Sequence, residues 1–197
     1  MISKPCEKIK LVGMKKFFEE FKKLYQQGMM PSKVMLSGKK GIGKSTLAYH
    51  LINYFLSKDE EHKYDDIKFK INKKNKSFKL VQNDSHPNFY LIDLINEKKN
   101  IDIEQIRKLL IYTNKSSFND LPRFILIDNI ENLNKNSKKA LLKLIEEPSK
   151  GIYFILIHNI EKSFLSTLKS RCLSFKVNFT FSEHINITNE LLGENIF

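Results

Sequence analysis

Long apolar runs are missing from this chain. Nothing in its 197 residues approaches the length that crosses a bilayer, and Met1-Ile2-Ser3-Lys4-Pro5-Cys6 lacks the apolar core of a secretory leader. The expectation is a cytoplasmic protein with no membrane association. Cysteine is scarce too: Cys6 and Cys172 stand far apart and form neither a disulfide framework nor a CxxC metal pattern, so two reduced thiols are expected. No internal repeat is visible. What is present is the composition of one globular domain, 41% hydrophobic and 28% charged. The formal net charge of +12 suits a polyanion such as nucleic acid, and equally a solvated lysine surface.

Apolar periodicity predicts a helix over Lys15 to Gln27, with Phe17, Phe18, Phe21, Leu24 and Tyr25 on one face and Gly28 as its end. Lys33 to Ser37 reads as a short buried strand that runs into a glycine loop, and Ser45 to Leu56 as the helix after it. Residues 57 to 84 are polar and lysine-rich; weak strand signals at Ile67-Phe69-Ile71 and Phe78-Leu80 predict an irregular or hairpin-like excursion. Further strands are predicted over Asn88 to Asp93, Phe124 to Asp128, Tyr153 to Ile157 and Leu173 to Val177. A helix over Asp102 to Tyr112, opened by an Asp102/Gln105 capping box, and another over Asn136 to Glu147, stopped by Pro148, fall between them. Apolar strands alternating with amphipathic helices indicate an α/β fold, a five-stranded parallel sheet covered on both faces. After Val177 only a short helical stretch near Glu190-Leu191-Leu192 is expected.

The glycine loop Gly38-Lys39-Lys40-Gly41-Ile42-Gly43-Lys44-Ser45 matches G-x-x-x-x-G-K-[ST] completely. Each fixed position has a job. Glycines let backbone N–H groups turn toward phosphate oxygens, Lys44 reaches the terminal phosphates, and Ser45 offers a hydroxyl to Mg²⁺. A second acid is needed for the metal at the end of a neighbouring buried strand, and Asp128 is the candidate. Hydrolytic P-loop proteins commonly place a glutamate next to that acid. Here Asn129 follows, an amide that cannot accept a proton near neutral pH, and Glu131 stands further along the turn than the expected base.

Several segments resemble the clamp-loader subunits of bacterial DNA polymerase III, within the AAA+ ATPases, and among them the delta-prime subunit. They are Met30 to Ala48 around the glycine loop, Ser85-His86-Pro87-Asn88, Ile103-Glu104-Gln105-Ile106-Arg107, Ile127 to Asn134, Ala140 to Pro148 with its Leu-Leu-Lys-x-x-Glu-Glu-Pro pattern, and Ser170-Arg171-Cys172. The resemblance implies an AAA+ core over residues 1–178 that binds ATP and Mg²⁺ through Gly38, Gly41, Ile42, Gly43, Lys44, Ser45, Thr46 and Asp128. It makes Asn159 a residue that senses the γ-phosphate, and Arg171 an arginine finger acting in trans on a neighbouring subunit. It implies gamma/tau and delta subunits, the sliding clamp and primer-template DNA as partners.

The sequence departs from the family in three ways. Residues 57–84 hold no cysteine where many members carry a zinc module, so no zinc is expected. Asn129 replaces the acid of the motor subunits, which favours delta-prime over gamma/tau. Residues 179–197 stand where members continue into a helical lid and collar, and are expected to be a truncated start of that lid or a tail. A catalytically active gamma/tau-type ATPase is the alternative within the family, and a small P-loop kinase the alternative outside it.

Overall fold

The computed structural model describes residues 4–95, 98–115, 119–146, 150–163 and 166–193. Five strands, β1 (Lys33–Gly38), β2 (Phe89–Ile92), β3 (Arg123–Ile127), β4 (Ile152–Asn159) and β5 (Leu173–Lys176), form one sheet in the order β2-β3-β4-β1-β5. Every pairing is parallel, with Met35 opposite Leu156 and Ile92 opposite Ile127. The five-stranded parallel sheet read from the sequence is therefore present.

Strand alternation divides the core in two. Leu36, Phe124, Leu126, Ile155 and Ile157 point to one face, where they meet α1 (Lys15–Gln26), α2 (Lys44–Leu56) and α3 (Lys76–Gln82) through Phe18, Phe21, Leu51, Phe55 and Phe78. Their sequence neighbours Met35, Ile125, Ile127, Phe154 and Leu156 point to the other, against α4 (Ile103–Asn114), α5 (Lys135–Glu146) and α6 (Ser166–Lys169) through Ile106, Leu109, Leu141, Ile145 and Leu168. A strand buried on both faces has no polar alternation to show, which is why β1, β3 and β4 read as continuous apolar runs. β5 differs: the apolar Leu173 to Val177 run predicts a buried strand, yet β5 is the sheet edge and Leu173 is 52% exposed.

The excursion after α2 corrects one expectation. Residues 65 and 70 form a hairpin-like bridge through paired backbone hydrogen bonds, but Phe78-Leu80 lies in α3, not a strand. Asn75 accepts from the Phe78 N–H at 2.7 Å, and the Glu60 carboxylate accepts from the Lys76 and Ser77 N–H groups, so the amides of this helix start are capped. Phe78 and Val81, three apart, then fall together on the buried face.

Two other expectations change. Asp102 makes no side-chain cap at the start of α4; its carboxylate instead accepts from Lys98 at 2.8 Å. The tail is a thirteen-residue helix, α7 (Phe181–Gly193), longer than the short helical stretch expected near Glu190-Leu191-Leu192. Thr180 and Glu183 cap it reciprocally: Thr180 N–H donates to Glu183 Oε2 at 2.7 Å, and Glu183 N–H to Thr180 Oγ1 at 3.3 Å. Glu147 and Pro148, the expected end of α5, lie outside the described residues. Among the described residues no helix is long and apolar enough to cross a membrane.

Candidate functional site

Parallel strands deliver their C-terminal ends to one edge, and the site is built there. β1 ends at Gly38, whose Cα faces the chain leaving β5; a Cβ at this position would stand 2.5 Å from the Val177 carbonyl oxygen. The loop then turns into α2 through Gly43, whose φ of 100° is left-handed and suits glycine. Gly43 has no side chain with which to cap α2, so the first-turn amides of that helix face an open cleft at its positive end.

The cleft has a volume of about 430 Å³ and is lined by Gly41, Gly43, Lys44, Ser45, Thr46, Asp128 and Asn159 from among the residues the sequence singled out. Lys44 is 5% exposed, and Nζ donates to the carbonyls of Gly38 at 2.9 Å and Lys39 at 2.7 Å. Burial pulls its ammonium below the ordinary lysine range, with Asp128 pulling the other way. Ser45 Oγ donates to Asp128 Oδ2 at 2.6 Å. Burial pushes the Asp128 carboxyl above its ordinary range, the Ser45 bond opposes, and the charge of Asp93 adds to the rise. An amine and a carboxylate lining one cleft, each disfavoured in its charged form by burial, make a place that gains from an anion at Lys44 and a cation at Asp128.

Gly38 and Ile42 shape the loop without lining the cleft; Ile42 packs against the core. Asn159 Oδ1 accepts from the Glu161 N–H at 3.2 Å. His158 beside it is held as a strand-end residue, its Nε2–H donating to the Lys162 carbonyl at 3.3 Å. Arg171 lies away from the cleft, in an ion pair with Glu146 at 2.8 Å.

Two more carboxylates line the cleft: Asp93, which the sequence did not single out, and Glu131, which its place along the turn had set aside as a base. Asp93 follows Ile92, whose register partner Ile127 precedes Asp128, so the two acids end neighbouring strands. Asn129, at a left-handed φ of 52°, donates from Nδ2 to Asp93 Oδ1 at 2.7 Å and starts the 3₁₀ turn Ile130–Asn132. That turn brings Glu131 back toward β4, where Oε2 accepts from the Asn159 N–H at 3.2 Å. The position read as a missing base is thus a ligand of a second carboxylate. An available signal was that the Asn88 to Ile92 run, like Phe124 to Ile127, ends in aspartate.

A family model described as DNA polymerase III, delta subunit, matches residues 13–180. The DNA polymerase III subunit gamma of Buchnera aphidicola subsp. Schizaphis graminum (strain Sg) is 30% identical over 177 residues, 89% of this chain and 46% of the relative. The DNA polymerase III subunit delta' of Buchnera aphidicola subsp. Baizongia pistaciae (strain Bp) is 27% identical over 154 residues, 71% of this chain and 42% of the relative. A DNA polymerase III gamma subunit-related protein from Thermotoga maritima shares the fold, with a TM-score of 0.58 at 19% identity over 90% of this chain and 48% of that one. The chain spans under half the length of these relatives.

Proposed function

The chain belongs to the DNA polymerase III, delta subunit family, and on that premise we propose that it is an ATP-binding subunit of a clamp loader, holding nucleotide with slow turnover or none. The observation that carries this is the cleft itself, where Lys44 and Ser45 face Asp128 while Asn129 stands in the place of the expected acid. Lys44 and the α2 amides would hold the phosphates of ATP, with Gly41 and Thr46 beside them and Asn159 at the far wall. Ser45 and Asp128 would hold Mg²⁺, which supplies charge neutralisation at the phosphates. The residues fit the group: two glycine-shaped turns keep the cradle open, and the buried carboxylate gains from a cation.

In this reading residues 1–178 act as the AAA+ core and residues 179–197 as the start of a helical lid or a tail. Gamma/tau and delta subunits, a sliding clamp and primer-template DNA are the partners, in the cytoplasm. Arg171 acts on the nucleotide of a neighbouring subunit, where a planar, permanently charged donor suits a phosphoryl group. The test is a loader reconstituted with gamma- and delta-type subunits, in which Arg171→Ala is expected to lower steady-state ATP hydrolysis about a hundredfold or more. An unchanged rate contradicts the assignment.

A second reading, an active motor subunit, draws on Asp93 and Glu131, which bring two carboxylates to the cleft despite Asn129. Measurable phosphate release by the chain alone, lost in Lys44→Ala, distinguishes it. Nothing in the site favours the small P-loop kinase.

A further inference from the structure

Arg171 follows α6 and precedes β5, and its side chain is 37% exposed. Yet its guanidinium is held at three points. Nε donates to Glu146 Oε1 at 3.0 Å, Nη2 lies 2.8 Å from the same oxygen, and Nη1 donates to the Thr167 carbonyl at 2.8 Å. Both holders are fixed to the core. Glu146 ends α5 directly after the buried Ile145, and Thr167 precedes the buried Leu168 in α6.

A guanidinium carries five N–H groups in one plane with fixed directions. Glu146 takes the Nε–H and one on Nη2, and Thr167 takes one on Nη1. Among the described residues one N–H is left on each Nη, on a group whose plane is already set. Two N–H groups on one rigid plane are what paired phosphate oxygens require. Holding a flexible arginine in place before its target arrives removes part of the ordering cost of the reactive geometry.

We infer that Glu146 is a positioning residue: it fixes the Arg171 plane so that its remaining N–H groups are presented to phosphoryl oxygens of a nucleotide on a neighbouring subunit. This rests on the proposed action of Arg171 in trans. An ion pair that merely masked Arg171 would have the opposite effect on rate when broken, so the sign of the change decides between the two.

The experiment uses the reconstituted loader carrying Glu146→Ala or Glu146→Gln, each with Arg171 intact and with Arg171→Ala. With Arg171 present, Glu146→Ala is expected to lower kcat for ATP hydrolysis roughly tenfold with KM changed less than about twofold. Glu146→Gln, which keeps an acceptor, restores most of the rate. With Arg171→Ala, the Glu146 substitution has no further effect. Thermal unfolding and the chain's own nucleotide affinity stay where they were, because an exposed ion pair contributes little to stability. An unchanged or raised rate in Glu146→Ala, a loss that persists in full without Arg171, or a loader that no longer assembles overturns the inference. If Arg171→Ala alone leaves the rate intact, the action in trans fails first, and that result is distinct from a failure at Glu146 alone.

Discussion

Ser45 Oγ donates to Asp128 Oδ2 across 2.6 Å, joining the first turn of α2 to the end of β3. Burial raises the Asp128 carboxyl above its ordinary range, so its charged form costs stability in the nucleotide-free protein. The sign follows: a carboxyl that protonates more readily folded than unfolded detracts from stability as pH rises through that range. Asp128→Asn removes the charge, keeps an acceptor for the Asn129 N–H and offers Ser45 an amide. It is expected to stabilise the free protein by about 1 kcal/mol while removing the Mg²⁺-dependent part of nucleotide affinity. Thermal melts beside nucleotide titrations with and without Mg²⁺ check it; a lower midpoint with intact Mg²⁺ dependence contradicts it.

Acid should unfold the protein through His50. This side chain is fully buried; Nε2–H donates to the Lys8 carbonyl at 3.1 Å, leaving Nδ1 to accept from Tyr64 OH at 2.9 Å. Burial holds the imidazole down at about 4, against 6.5 when exposed. Between these values the unfolded chain binds the proton and the folded one does not, so stability is complete above about pH 6.5 and falls as pH drops toward 4. The loss should reach about 3 kcal/mol. Urea denaturation at steps of pH should show that slope, and His50→Gln should flatten it.

Arg123 is a stability determinant of a different kind. It is 8% exposed, and its guanidinium donates to the carbonyls of Lys115 at 2.9 Å and Tyr112 at 3.2 Å, closing the C-terminal end of α4. Positive charge there is favoured by the helix dipole, and without it the Lys115 carbonyl loses this donor while Tyr112 keeps only the Lys115 N–H at 3.3 Å. Arg123→Met is expected to cost about 2 to 3 kcal/mol in urea denaturation, with Arg123→Lys recovering part. A change below about 0.5 kcal/mol contradicts this account of the contact.

The phosphate cradle was legible because residue type and spacing alone define it, and a run such as Phe124 to Ile127 announces that Asp128 lies at the sheet edge. The rest of the site depended on relationships that a linear reading does not carry. Glu131 reaches the cleft only because Asn129 adopts a left-handed conformation, and Asp93 only because β2 is the strand beside β3. The weak strand signal at Phe78-Leu80 hides α3 because part of its cap comes from Glu60, sixteen residues before Lys76. The cap of α7, by contrast, is written in the sequence as Thr180-x-x-Glu183. Arg171 was marked by its motif, but its partner Glu146 is twenty-five residues away.

The central claim is that this cleft holds nucleotide without fast turnover. Binding of a fluorescent ATP analogue by the purified chain with Mg²⁺, with Lys44→Ala as control and phosphate release read on the same samples, tests it most directly. The predicted result is saturable binding that Lys44→Ala weakens by roughly a hundredfold, about the effect of losing a charge-assisted contact, with negligible release. Equal binding by both proteins, or none by either, would contradict it.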